Sequence, residues 1–513
     1  MELAIAPELK AGRWFGQPRS VLLLAVLLAL CCSSFLAWQI RNAMLQPDEM
    51  SYRFQARILR TGHLRAPPLP GVGADGKTPA EVHFNHHIAT PGGWSVMYPI
   101  GWPLVLAAGQ ALGASWLVTP LLGVLLIWLT FQLGRAVADE ETGAAAAVLL
   151  FPCPFFFVCT SGDMPHAMAA CMVAGATWAL VDGLKHRSAG RCALGFLLIG
   201  LTLFVHPFTA LGVSAGVGVA LLVYLWRDRD ILRRIMPWLA VILAFIALLF
   251  ALQNRFFTGS AFRSTYAFSA GTKTPPEVSL DIPAVLAHAP ENTLPGLLAT
   301  IYFSTPFLFV LAACAFVRTK KAGPQAQQSA SGWALLLTGA FVGEVCLNNL
   351  NLVGNIGLPG QRMYFEGMPG ISVLGALGLP RVLDSWRVRR AAWYLTLTLL
   401  GAFQLLQYGL EVHDIRARVR PSLIFRHALS QVDLPGGIVF MRTENMPRDE
   451  GFASYNYNVN DADWPHARTL YLIDPGPSRR AEAAHRFGRT KWVVVTYDGM
   501  AQSCNISPTN AAS

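Results

Sequence analysis

Charged residues are scarce. They make up 14% of the 513 residues, against about 25% in an average soluble domain. A deficit of this size leaves too few solvated side chains to cover a soluble particle, so an ordinary soluble enzyme is excluded. Disorder is excluded too, because it needs low hydrophobicity and many charges. Here 53% of the residues are hydrophobic and the mean hydropathy is +0.41. Cysteines in disulfide or zinc spacing are lacking as well. Cys31, Cys32, Cys153, Cys159, Cys171, Cys192, Cys314 and Cys346 lie in apolar runs, and Cys504 stands alone in the polar tail. They read as small packing hydrophobes. There is no Walker A loop, dinucleotide fingerprint, internal repeat or recognised nucleic-acid module. The net charge of +10 therefore does not argue for a nucleic-acid partner.

What is present is a series of apolar runs of about 20 residues, the length that spans a bilayer. The first, Ser20 to Ile40, follows Lys10, Arg13 and Arg19 and reads as a retained helix with a cytoplasmic N-terminus. Further spans fall near 116–137, 142–160, 165–183, 192–206, 209–226, 236–253, 297–317, 331–350, 364–383 and 391–411. Parity then places four cation clusters on the cytoplasmic side. They are Lys185, Arg187 and Arg191; Arg227, Arg229, Arg233 and Arg234; Arg318, Lys320 and Lys321; and Arg387, Arg389 and Arg390. Gly101 to Leu112 is too short to cross and reads as a re-entrant or surface helix. The fold class expected is an all-α polytopic membrane bundle of about eleven transmembrane helices, residues 1–411, including an external loop at 41–115. Residues 412–513 read as a separable external α/β domain. Its strands are expected at Gly437–Met441, Thr469–Ile473 and Trp492–Thr496, with a helix at Pro477–Phe487.

The first loop carries most of the chemistry. Gln46-Pro47-Asp48-Glu49 opens an amphipathic helix with Met50, Phe54 and Ile58 on one face and Arg53, Arg57 and Arg60 on another. Such a helix suits the membrane interface, its arginines toward lipid headgroups or a phosphate. Asp48 is either an N-cap or a general base kept ionised by the helix dipole, and the two roles are compatible. His83, His86 and His87 are the residues a divalent metal would use, but no carboxylate or cysteine is in register. They otherwise read as solvated or ligand-contacting loop histidines. Tyr98 and Trp102 mark a membrane interface or stack on a sugar. Asp163 and His166 lie in the turn Ser161–His166, and His206-Pro207 falls at the next end on the same side. Near 351–366 come Asn351, Asn355, Gln361, Arg362, Tyr364 and Glu366. Arg362 is a cation where the positive-inside rule does not put one. It either snorkels or grips a phosphate with its guanidinium fork, with Glu366 one turn on to orient it.

In order and topology these pieces resemble the GT-C superfamily of integral-membrane glycosyltransferases. The branch is that of the dolichyl-phosphate-mannose–protein mannosyltransferases and the aminoarabinose-transferase-like proteins of bacteria. The matching pieces are Pro47-Asp48-Glu49 after the first span, Tyr98-Pro99-Ile100-Gly101-Trp102-Pro103, the Ser161–His166 turn, His206-Pro207, and Arg362-Met363-Tyr364. They cover most of residues 20–385. The resemblance implies a GT-C bundle in a bacterial inner membrane, with an external active site. It implies transfer of a sugar from a polyprenyl-phosphate donor to a hydroxyl of a glycan, lipid or protein acceptor, with inversion. Asp48 would be the base, with Glu49 and Asp163 as further catalytic acids. Arg362, Arg53 and Arg57 would hold the donor phosphate, and His86, Tyr98, Trp102, His166, His206 and Tyr364 would contact substrate. No cofactor is required. The aminoarabinose branch has a lysine–proline-type segment where this chain has Tyr98-Pro99, so that branch's phosphate contacts and sugar do not carry over. The rival readings are a lipid or glycan transporter, which usually shows repeat symmetry, and a non-catalytic scaffold.

The alternation of cation clusters makes a direct prediction. Reporter fusions after residues 190, 320 and 420 should read inside, inside and outside. An inside reading at 420 would move the tail and the first loop to the cytoplasmic face.

Overall fold

The computed structural model describes residues 17–73, 78–225, 228–270, 282–316, 324–348, 362–385, 390–446, 452–508 and 510–511. Lys273, Asn351, Asn355 and Gln361 lie outside them. The described chain opens with α1 (Pro18–Ile40) and α2 (Pro47–Arg60), each with proline in the first turn, where its missing N–H has no intrahelical partner to lose. An antiparallel hairpin follows, β1 (His87–Thr90) and β2 (Gly93–Val96), then the 11-residue α3 (Gly101–Ala111). The bundle continues through α4 (Val118–Val137), α5 (Glu140–Leu150), α6 (Pro154–Cys159), α7 (His166–Lys185), α8 (Ala189–Thr202), α9 (Pro207–Leu225) and α10 (Arg229–Thr258). It closes with α11 (Thr265–Ala270), α12 (Ile282–Phe303), α13 (Leu308–Cys314), α14 (Pro324–Asn348), a 3₁₀ turn at Arg362–Gly367, α15 (Met368–Ser385) and α16 (Arg390–Gln431).

The chain is a helical membrane protein. Among the described residues five helices are long and apolar enough to cross a bilayer: Pro18–Ile40, Ser115–Val137, His166–Lys185, Pro207–Tyr224 and Arg229–Thr258. Thr293–Phe303 and Leu308–Cys314, bent by 99°, make a sixth if they form one span. The expected count of about eleven exceeds this. One reason is visible at 142–160, which is two short helices, α5 and α6. Pro152 and Pro154 each remove a backbone donor and disfavour helix in the preceding residue.

Two large apolar cores and a small one between α8 and α10 result among the described residues. The first lies inside the bundle and draws on α1, α4 to α9 and α13 to α15. A close helix crossing in it is α9 on α14, where Gly212 and Gly216 face Gly343 and Gly339 at matched spacings of four. A Cβ on Gly339 would sit 2.7 Å from the Gly216 carbonyl oxygen, and one on Gly216 would collide with the Gly339 carbonyl. Small residues at this spacing let two backbones touch in lipid, where packing replaces the hydrophobic effect.

The second core joins the first loop to the tail. Beyond α16 lie β3 (Gly437–Glu444), β4 (Thr469–Ile473), α17 (Arg480–Arg486), β5 (Lys491–Asp498), β6 (Ser503–Ile506) and β7 (Asn510–Ala511). The sheet order is β4-β3-β5-β6, parallel across the first three strands, with β6 and β7 antiparallel to β5. Strands therefore stand where the short apolar runs place them. The tail is not self-contained, however. Helix α16 runs unbroken through residue 411, and Phe425 packs on Phe452 and Tyr457. Trp464 Nε1 donates to the Pro67 carbonyl at 3.0 Å, Asn85 N–H donates to the Tyr455 carbonyl at 2.8 Å, and Arg486 pairs with Glu81. Met50, Phe54 and Ile58 of α2 are buried in this shared core. Helix α2 is thus enclosed between bundle and tail instead of lying in the membrane interface.

The glycine crossing yields a paired test. Gly216→Val should lower the thermal midpoint of the detergent-solubilised protein, by an overpacking cost of about 1–3 kcal/mol or more. Gly218→Val, one half-turn on with nothing within 4 Å of its Cβ, should leave it within error. Equal midpoints would mean that the α9–α14 contact is not close-packed.

Candidate active site

The residues that the sequence scatters over 318 positions, from Asp48 to Glu366, meet at one end of the bundle. Asp48 sits in the first turn of α2, and the N-cap position belongs to Gln46, which makes no side-chain cap. The capping alternative for Asp48 is therefore not what the chain adopts. Its Oδ1 accepts a hydrogen bond from the Tyr98 hydroxyl at 2.6 Å and faces His86 Nε2 at 3.2 Å. Its Oδ2 faces Arg362 Nη2 at 3.5 Å. Arg362 thus turns inward to a carboxylate and does not snorkel. Burial pushes the Asp48 carboxyl up, but the charges of His86 and Arg362 and the Tyr98 hydrogen bond outweigh it and hold the group below the usual carboxylate range. Burial and the Asp48 charge push the Tyr98 phenol well above its usual value, so it remains a donor.

Backbone strain accompanies this contact. His86 has φ +61°, a left-handed conformation that costs a non-glycine residue roughly 1 kcal/mol or more. Its carbonyl is held by the Met97 N–H at 2.9 Å, which fixes the loop so that the ring meets both Asp48 and Tyr98. The other two histidines diverge. His83 meets Thr78, while His87 reaches Asn458 of the tail. Among the described residues no cluster of three histidines, cysteines or carboxylates is placed to hold a metal ion.

Glu49 and Asp163 form a separate structural knot. Glu49 is 1% exposed; its Oε2 accepts the Leu45 N–H at 2.9 Å and its Oε1 the Asp163 N–H at 3.1 Å. Asp163 Oδ2 takes Arg53 Nε at 2.6 Å, and Arg53 also donates to the Ala43 carbonyl. Trp102, fully buried, donates through Nε1 to the Asp163 carbonyl at 2.8 Å. Glu49 and Asp163 thus hold backbone and guanidinium, Arg53 is matched by a carboxylate and a carbonyl, and Trp102 is a strut under the turn. Arg57 Nη2 donates to the Asn458 carbonyl of the tail at 3.0 Å.

Beside Arg362 lies a buried polar chain. His166 Nδ1 is 2.9 Å from Glu366 Oε1, which also accepts the Thr209 hydroxyl at 3.2 Å; Thr209 in turn contacts His206 Nδ1 at 2.8 Å. Glu366 does not orient Arg362 from one turn on. The segment is 3₁₀, in which residues three apart, not four, share a face. Tyr364 is buried against Phe341 and is a packing residue. Arg362 Nε and His166 Nε2 are buried polar atoms with no hydrogen-bond partner among the described residues. Sequence reasoning missed Thr209 and Glu344. Glu344 Oε2 accepts the Gly367 N–H at 3.0 Å and anchors the end of the 3₁₀ turn. The only available signal was a carboxylate inside an apolar run.

No family model matches the chain, and no curated protein matches it in sequence. Solved structures do match in fold. ArnT from Cupriavidus metallidurans in the apo state is 12% identical over 93% of this chain and 93% of that one, with a TM-score of 0.51. Its structure bound to undecaprenyl phosphate is 10% identical, covering 93% and 92%, with a TM-score of 0.49. The oligosaccharyltransferase of Archaeoglobus fulgidus, apo form, is 14% identical over 94% of this chain and 70% of that one, with a TM-score of 0.47. The likeness is one of fold: the chain shares the helical membrane architecture of the ArnT structure over nearly its whole length.

Glu49 supplies a pH test. Burial and the Asp163 charge outweigh Arg53 and the two backbone hydrogen bonds and push its carboxyl from 4.5 up to about 7. The folded form then binds more protons than the unfolded form between these values, so stability falls as pH rises through that window and levels off above it. Glu49→Gln should abolish this slope in thermal unfolding between pH 5 and pH 7.5. It should also cost about 1–3 kcal/mol, because an amide can accept from only one of the two N–H groups. An unchanged slope would assign the titration to another group.

Proposed function

We propose that the protein transfers a sugar from a polyprenyl-phosphate donor to an acceptor hydroxyl at the external membrane face, with inversion. One observation carries this reading. A carboxylate held ionised has one oxygen occupied by Tyr98 and His86 and the other turned to a buried guanidinium whose Nε has no partner among the described residues. The fold supports it, and so does the lipid phosphate that ArnT holds, a ligand class that comes to this chain as part of the proposal.

The chemistry follows from the two oxygens of Asp48. Oδ2 accepts the proton of the acceptor hydroxyl as its oxygen attacks the anomeric carbon. The bond from that carbon to the phosphate oxygen breaks on the opposite side, and the electron pair leaves with the polyprenyl phosphate. Arg362 stabilises the charge that develops there, through a fork suited to two phosphate oxygens. His166, fixed by Glu366, offers Nε2 to the same region, and His86 and Tyr98 hold the base in place. An external site has no nucleotide sugar at hand, so a lipid must present the activated sugar. Residues 412–513, sharing a core with the loop that carries Asp48, would form the acceptor side of this enzyme of the bacterial inner membrane.

An assay of transfer from polyprenyl-phosphate sugars tests the reading. Asp48→Asn should keep shape and lower turnover by about 100-fold or more. Arg362→Ala should weaken binding of a short-chain polyprenyl phosphate more than Arg362→Lys, which keeps charge and loses the fork. Normal turnover in Asp48→Asn, or equal phosphate affinity in wild type and Arg362→Ala, would favour a transporter or scaffold instead.

A further inference from the structure

The end of the bundle opposite Asp48 carries a second polar site. Helix α7 starts at His166, beside Glu366, and ends 20 residues later at Lys185; at 1.5 Å per residue its ends lie about 30 Å apart. There a cavity of about 450 Å³ opens between α4, α7 and α8, lined by Arg135, Trp178, Asp182, Lys185, His186 and Arg191. That volume is in the range that accepts a small-molecule headgroup.

Its charges are unbalanced. Arg135, Lys185 and Arg191 set three permanent cations against one carboxylate, and His186 adds a fourth when protonated. Asp182 is already matched by Arg191 and lies 3.4 Å from His186 Nε2. Lys185 Nζ donates to the Ala136 carbonyl at 2.9 Å, which ties the end of α7 to the end of α4 and fixes the cavity wall. Glu140, the carboxylate that feels Arg135 from outside the cavity, is paired with Arg19 at 2.9 Å. The cavity thus has an excess of cations that its own carboxylate does not neutralise.

An apolar track leads into it. Leu121, Leu125 and Trp128 are exposed on α4 at spacings of four and three, and Arg135 lies two turns beyond Trp128 on the same face. Trp128 meets Trp178 edge-on, with ring centroids 5.7 Å apart, so the track continues onto the cavity wall. A soluble anion would use only the cations. A molecule with a phosphate at one end and acyl chains at the other would use both.

We propose that this cavity binds the phosphodiester headgroup of one anionic phospholipid, its acyl chains running along Leu125 and Trp128. Basic clefts between helices at the membrane surface suit such headgroups, and each nearby cation strengthens the attraction. The site is distinct from the Asp48 centre and lies on the other face of the membrane.

Native mass spectrometry of the detergent-solubilised full chain tests it, with phosphatidylglycerol titrated against phosphatidylcholine. One phosphatidylglycerol should be retained preferentially, and it should raise the thermal midpoint. Arg135→Glu should reduce retention about tenfold or more. This exposed side chain makes no hydrogen bond among the described residues, so the variant should fold with an unchanged lipid-free midpoint. Arg233→Glu, the same charge change on α10 outside the cavity, should have no effect. Three results would overturn the proposal: no preference over phosphatidylcholine, equal losses in Arg135→Glu and Arg233→Glu, or displacement of the lipid by glycerol phosphate at equal concentration. The second would reduce the effect to general attraction, and the third would make this a soluble-phosphate site.

Discussion

The geometry of the Asp48 centre depends on how a single carboxylate, Glu49, is buried. Two backbone N–H groups converge on it, one from the residue that precedes α2 and one from the turn that precedes α7. A buried charge with one partner would be costly, but two backbone donors and a nearby guanidinium make burial tolerable. The consequence is positional. The first turn of α2 is locked to the turn before α7, and Asp48, the adjacent residue, must then point toward Tyr98, His86 and Arg362. Arg53 and Asp163 close the same lock from the far side at 2.6 Å. Trp102 supports it from below.

This explains which parts were legible in the sequence. A polar Pro-Asp-Glu step directly after an apolar span can be read without coordinates, because ionisable groups at that depth need partners or a function. What cannot be read is the division of labour inside the pair. Asp48 and Glu49 are neighbours of the same charge, and only the 100° rotation between successive helical residues sends one toward the site and the other into the turn. Glu366 fails for a related reason. Four-residue spacing means a shared face only in an α-helix, and Arg362–Gly367 is 3₁₀. The strands of the tail were legible from short apolar runs, whereas its shared core with the first loop was not. Contacts such as Trp464 to Pro67, 397 residues apart, leave no periodic trace.

The shared core also changes what the tail does for the site. Arg57 donates to the Asn458 carbonyl and His87 meets the Asn458 amide, so one tail residue touches α2 and the strand after His86 together. A tail that only decorated the bundle would leave α2 exposed on that side. Here the helix that presents Asp48 is held by the bundle through its first turn and by the tail through its third. Residues 412–513 therefore contribute to the placement of the base, even though none of the described ones touches it.

The three arginines show how a structure ranks residues that a sequence leaves equal. Arg53, Arg57 and Arg362 all carry the fork geometry that suits a phosphate. Arg53 already has a carboxylate and a carbonyl, and Arg57 has a carbonyl of the tail. Recruiting either for a ligand would break those bonds and leave buried acceptors unpaired, at about 1–3 kcal/mol each. Among the described residues Arg362 faces the far oxygen of Asp48, at a distance too long for a good hydrogen bond, and its Nε, like that of Arg57, has no partner there. A guanidinium so placed gains contacts when an anion arrives instead of exchanging them. The selection of Arg362 thus rests less on its position at the end of a span than on the bonds its two rivals have already made.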